Sequence, residues 1–227
     1  MGTDNLFKKR KAKLAERKRE LREPKPNSFL IVSEGEKTEP LYFEGLAKHI
    51  NDKYGGGISV EKPLIKTQGE GKCTVRLVEE TSRIVSRSRL LYSQVWVVFD
   101  KDDFQDFDEA VSLAEERGFR AAWSNQSFEY WIYLHFDYSD SALHRDVWVE
   151  KLSACLKKSG AREEGYRKND PNVFQIATTL GSLKAAVSNA TRVEKSYKDE
   201  ERPSRCDPCT KVHRLILELK PYLGDLL

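Results

Sequence analysis

Cysteine is scarce in this chain: four residues among 227, at Cys73, Cys155, Cys206 and Cys209, with two of them far from any other. That excludes a disulfide-stapled scaffold and fits free thiols in a reducing compartment. No apolar run approaches the roughly 18 residues a membrane span requires, and the basic N-terminus lacks the apolar core of a signal peptide. A cytoplasmic protein with no membrane association is expected. No internal repeat is visible. The glycine-rich stretch Gln68-Gly69-Glu70-Gly71-Lys72 lacks the Walker spacing, and no acidic nucleotide-hydrolysis motif accompanies it. The chain is therefore not expected to power itself with ATP, and the stretch reads as a connection.

What is present is charge. Apolar residues make up 39% and charged residues 33%, the composition of a soluble globular protein with one substantial core. The net charge of +3 is unevenly placed. Up to Lys25, ten Lys/Arg stand against four Asp/Glu, whereas the rest holds 29 basic and 32 acidic residues. Positive potential is thus concentrated on a tail. Residues 6–23 read either as a solvated helix or arm, or as a basic grip on phosphate backbone or a partner protein. Pro24-Lys25-Pro26-Asn27 breaks the chain, so the fold is expected to begin near Ser28.

Beyond that break, strand and helix patterns alternate. Phe29-Leu30-Ile31-Val32-Ser33 reads as a buried strand, and Thr38-Glu39-Pro40 opens a helix with Leu41, Phe43, Leu46 and Ile50 on its apolar face. A strand over 58–66, a helix over 74–87, a strand over 94–100, a helix over 107–117 and a strand over 119–123 follow. This alternation is the signature of a parallel sheet covered on both faces. Further helices are expected over 147–158, 173–193 and 210–219.

Two of the strands end in acid. Phe29–Ser33 runs into Glu34-Gly35-Glu36, and Gln94-Val95-Trp96-Val97-Val98-Phe99 runs into Asp100-Lys101-Asp102-Asp103. Ligands of open α/β sheets bind in the crevice outside the carboxyl ends of the strands. If these two strands are parallel neighbours, Glu34, Asp100 and Asp102 converge there, and clustered carboxylates repel one another unless a cation lies between them. All-oxygen ligation suits Mg²⁺ or Mn²⁺. Asp100 and Asp102 are alternate residues able to face one ion, and Asp103 could replace either. An acidic turn that merely ends a strand is the competing reading.

Other candidates surround this cluster. Lys37 would neutralise a substrate phosphate or simply mark a charged helix entrance. Ser124 or Asn125 would cap a helix whose exposed amides favour an anion. On that helix Glu129 is open between a metal ligand or water-orienting base and a capping or salt-bridging role. Phe128, Trp131 and His135 share the apolar face, with His135 read as a core histidine. Lys168 lies in a basic, polar segment (166–169) suited to contacting a polyanion or to serving as an exposed connection. Cys206, Cys209 and His213 would give zinc three ligands and no fourth, so zinc is not expected.

The acidic strand ends resemble the Toprim domain of topoisomerases, primases and certain nucleases. More closely, the chain resembles the RloB family of Toprim-like proteins. The resemblance rests on Ile31 through Phe43, on Val97 through Phe104, and on Ser124-Asn125-Gln126-Ser127-Phe128-Glu129-Tyr130-Trp131 followed by Leu134-His135-Phe136. Weaker matches continue at Tyr166-Arg167-Lys168-Asn169 and at Thr210 through Leu215. It implies an α/β, Toprim-like (Rossmann-like), mostly parallel sheet over 28–136, preceded by the arm at 1–27 and followed by a helical extension over 137–227 packed on it. It also implies Glu34 as metal ligand or general acid/base, and Asp100 and Asp102 as metal ligands. The expected activity is metal-dependent hydrolysis of phosphodiester bonds in DNA or RNA, in antiphage defence, with a separate ATPase partner. Homo-oligomerisation is left open. The alternative is a non-catalytic nucleic-acid- or partner-binding regulatory subunit. Primase-type nucleotidyl transfer has nothing further to recommend it, and topoisomerase chemistry lacks room for strand-passage machinery.

Overall fold

The first apolar run forms β1 (Phe29–Ser33), with every residue buried. The computed structural model of the protein describes residues 28–34, 38–61, 73–101, 105–160 and 162–227. The expected N-terminal arm and the 68–72 stretch lie outside these residues. After β1 come α1 (Thr38–Tyr54), β2 (Ile58–Glu61), α2 (Cys73–Arg87), β3 (Gln94–Lys101), α3 (Phe107–Glu116) and β4 (Arg120–Asn125). Then follow α4 (Phe128–Tyr133), α5 (Arg145–Lys158), α6 (Val173–Thr179), α7 (Leu183–Ser196), α8 (Val212–Glu218) and the short α9 (Lys220–Leu223).

The four strands form one parallel sheet in the order β2-β1-β3-β4. β1 and β3 are neighbours, in register from Phe29↔Gln94 to Ser33↔Val98. Strand alternation sends Phe29, Ile31, Trp96 and Val98 into one core, and Leu30, Val32, Val95, Val97 and Phe99 into the other. The first core is closed by α1 through Tyr42, Phe43 and Leu46; the second by α2 and α3 through Leu77, Val78, Phe107 and Ala110. Burial on both faces is why the strand at 94–100 reads as a continuous apolar run without polar alternation. Full burial of each such Val, Leu or Ile side chain contributes about 1.5–3 kcal/mol.

This layering fixes where a crevice opens. α1 carries the chain from β1 outward to β2 over one face, and α2 returns it past β1 to β3 over the other. The winding reverses between β1 and β3, and at such a reversal the carboxyl ends of the two strands leave a cleft. The architecture is the α/β, Rossmann-like one expected, with helices on both sides.

The helices beyond β4 pack on the α1 side. All six residues of α4 are buried, as in a helix enclosed all round. The ring of Tyr42 meets those of Phe43, Phe128, Trp131, His135 and Phe174 edge-on at 5.3–6.4 Å, so α1, α4 and α6 converge on one aromatic cluster. Close approach of α1 and α6 needs Gly45, where a Cβ would lie 2.6 Å from Phe174 Cβ.

The single helix expected over 173–193 is instead two, α6 and α7. At Gly181 a Cβ would come within 2.7 Å of the carbonyl oxygens of Ala177 and His135. Ser182 donates its N–H to His135 O at 2.8 Å and caps α7 by accepting from Ala185 N–H. The tertiary bond to His135 overrides the helical periodicity. The outer edge of β4 is covered by the segment before α8: Asn125 N–H donates to Cys209 O and Lys211 N–H to Trp123 O, around an antiparallel bridge between Ser124 and Thr210.

Candidate active site

Backbone pairing positions Glu34. Its N–H donates to Val98 O at 2.9 Å, extending the β1–β3 ladder one residue past Ser33. The half-buried side chain therefore emerges at the carboxyl end of β1, beside β3. Asp100, next to last in β3, sits opposite Ser124 of β4 and accepts the N–H of Phe128 on Oδ2 at 2.9 Å. The first N–H groups of a helix lack partners within it, and a carboxylate there also meets the positive end of the helix dipole.

The α4 cap thus comes from a neighbouring strand. The expectation that Ser124 or Asn125 would supply it is corrected, because both side chains are engaged elsewhere. Ser124 Oγ pairs with Thr210 Oγ1 at 3.0 Å, and Asn125 Nδ2 donates to Ser204 O and Cys206 O at 3.1 and 2.8 Å. Asn125 is wholly buried and ties the 204–209 segment to the end of β4. Between it and α4, Gln126 adopts the left-handed conformation with φ 78°. That turn brings Phe128 N–H to Asp100.

Glu129, 4% exposed in the first turn of α4, meets the loop between α5 and α6. Its Oε1 accepts from Tyr166 O–H at 3.2 Å and lies 3.7 Å from Lys168 Nζ. Thr38 Oγ1, at the start of α1, donates to Lys168 O at 2.7 Å and lies 3.3 Å from Tyr166 Oη. The loop at 162–170 is thereby stitched to both the start of α1 and the helix after β4. Burial, reinforced by the charge of Glu129, pushes the Tyr166 phenol far up, so it stays a donor.

Of the residues singled out in sequence, Glu34, Asp100, Asn125, Glu129 and Lys168 are described; Lys37, Asp102 and Asp103 lie outside the described residues. Glu34 and Asp100 end adjacent strands at the reversal of winding. Glu129 and Lys168 meet one another, and Asn125 is held by the 204–206 carbonyls. Among the described residues no group of three or more His, Cys, Asp and Glu side chains is arranged to hold a metal. Glu34 and Asp100 supply the hard oxygen donors that a Mg²⁺ or Mn²⁺ centre takes, and Asp102 and Asp103 follow in the same segment.

Sequence reasoning did not anticipate two further acids. Asp106 Oδ2 accepts from Val75 N–H at 2.9 Å, in the first turn of α2, and Asp108 accepts from Ser204 N–H and Oγ–H at 2.8 and 2.6 Å. Their only sequence signal is proximity to Asp100. At the three residues that zinc would need, His213 is engaged on both ring nitrogens, Nδ1 2.9 Å from Thr210 O and Nε2 2.7 Å from Glu194 Oε2. Cys206 Sγ faces Arg202 O.

The family described as RloB-like protein matches residues 29–219. No curated protein and no solved structure matches.

Proposed function

The chain belongs to the RloB-like family, and from that premise we propose that it is a Toprim-type, metal-dependent nuclease. The observation that carries the reading is the placement of Glu34 and Asp100 at the carboxyl ends of adjacent parallel strands where the winding reverses. Glu34, Asp100, Asp102 and Asp103 would hold Mg²⁺ or Mn²⁺, which when bound neutralises phosphate charge and lowers the pKa of an attacking water. The chain's own part is orientation. The ladder bond fixes the backbone of Glu34, and the Phe128 N–H at the start of α4 fixes the Asp100 side chain. Lys37 and Lys168 supply positive charge for the scissile phosphate and its neighbours. The substrate class is nucleic acid, DNA or RNA, and the setting proposed is antiphage defence beside an ATPase partner.

A second reading has one observation in its favour. Asp100, Asp106 and Asp108 each cap a helix or turn, as a purely structural acidic segment would. In that case the protein is a non-catalytic subunit that binds nucleic acid or a partner.

Substitution by asparagine separates the readings, because it removes charge while leaving an acceptor for Phe128 N–H. The Asp100→Asn/Asp102→Asn double variant should lose Mg²⁺-dependent cleavage of labelled DNA and RNA by at least about a hundredfold, with a melting temperature within a few degrees of wild type. Cleavage equal to wild type in this variant would sink the nuclease assignment.

A further inference from the structure

Glu129 is an unusual partner for Lys168. The Glu129 side chain is 5% exposed and that of Lys168 55%, and their 3.7 Å separation is loose for an ion pair. At that separation the carboxylate tethers the half-exposed ammonium only weakly. Yet the loop that presents Lys168 is pinned from several sides. Arg162 pairs with Asp170 at the two ends of the loop. Tyr166 N–H donates to Ser153 Oγ on α5 at 3.1 Å, and Gly165, with φ +80°, packs so closely on α5 that a Cβ would lie 2.9 Å from Ser153 Cβ. Thr38 then fixes the carbonyl of Lys168 itself at 2.7 Å. A tightly held backbone that delivers one half-exposed ammonium is the arrangement of a preorganised binding group.

Proton counting shows how the assembly is locked. The Thr38 hydroxyl proton goes to Lys168 O, the only acceptor-only group it meets among the described residues. The Tyr166 proton therefore lies between Glu129 Oε1 at 3.2 Å and Thr38 Oγ1 at 3.3 Å, a shared bond that joins the start of α1 to the start of α4. Glu129 receives the phenol and the ammonium on the same oxygen.

We infer that Tyr166, Thr38 and Glu129 form a positioning clamp that holds the Lys168 ammonium between the starts of α1 and α4, where it binds a backbone phosphate of the nucleic-acid substrate. Glu129 acts here through Lys168 as a positioning residue and is not a metal ligand. The identification of the phosphate as that of a nucleic acid rests on the nuclease reading; the clamp itself rests on the geometry above. The loose pairing lets the ammonium exchange the carboxylate for a phosphate oxygen without moving the loop.

The test uses the full-length protein with fluorescein-labelled DNA and RNA oligonucleotides. Binding is measured in EDTA across a salt series, and cleavage kinetics with Mg²⁺. Lys168→Met should weaken binding about five- to tenfold and lower the salt slope by about one, with Lys168→Arg restoring both. Tyr166→Phe should raise KM more than it lowers kcat while the melting temperature stays within a few degrees of wild type. Wild-type affinity and salt slope in Lys168→Met would overturn the clamp even if cleavage persists. An effect of Tyr166→Phe confined to melting temperature would overturn the positioning role. Binding that follows this pattern without cleavage by any form supports the clamp and overturns the nuclease reading. Absence of binding by the wild type overturns the clamp.

Discussion

At His135 the ring is closed off from solvent and both nitrogens are assigned by their neighbours. Nδ1 lies 3.1 Å from Trp131 O, which can only accept, so it carries the proton; Nε2 accepts from Tyr42 O–H at 3.1 Å. Burial drives the imidazole down to about 4, against a smaller upward pull from the backbone carbonyls, and burial likewise drives the Tyr42 phenol up so that it remains a donor. The folded protein therefore favours the neutral ring. The associated stability is fully present above the unfolded value near 6.5 and is lost as the pH falls toward the folded value of about 4. The total is about 3 kcal/mol, most of which should be gone at pH 4.5. Denaturant titrations of wild type and His135→Gln at pH 7 and pH 4.5 check this: the variant should show the smaller acid loss, and parallel losses would refute the assignment. The core position of this histidine was legible in its place on an apolar helical face.

Among the elements, α4 depends on β3. Replacing Asp100 by alanine should cost about 0.5–2 kcal/mol, the range for a lost cap, whereas Asp100→Asn should cost a fraction of that because an acceptor for Phe128 N–H survives. Thermal melts of the two variants decide it; equal stabilities would mean that the cap contributes nothing. The second inter-element clamp is Glu194 of α7, which meets Lys211, His213 and Arg214 around the start of α8. Burial alone would raise its carboxyl, but these three partners outweigh burial and hold it well below the usual carboxylate range. The strands and their acidic ends could be read from sequence because a doubly buried strand is a continuous apolar run and its terminus is marked by the first charges. The partners of those acids could not. Phe128 N–H lies 28 residues from Asp100, and Tyr166 lies 37 from Glu129, so neither link leaves a local pattern. The division of 173–193 was hidden for the same reason: the acceptor that interrupts it, His135 O, belongs to the turn after α4.

For the molecule as a whole, topology rather than any one side chain locates the cleft. The order β2-β1-β3-β4 makes β1 and β3 diverge in their connections, so the acidic ends of the two most buried strands face a common opening. The later helices close the α1 side of the sheet, and the 162–170 loop is tied to the starts of α1 and α4. The segment at 209–211 covers the free edge of β4, which removes one site for unwanted strand pairing. No helix among the described residues is long and apolar enough to cross a membrane. The central claim is that the carboxylates at this opening bind a divalent cation, and calorimetric titration of Mn²⁺ into the full chain and into Asp100→Asn/Asp102→Asn tests it most directly. The account predicts binding by the wild type that weakens at least about tenfold in the variant at equal melting temperature. Equal Mn²⁺ affinity in the two proteins would contradict it.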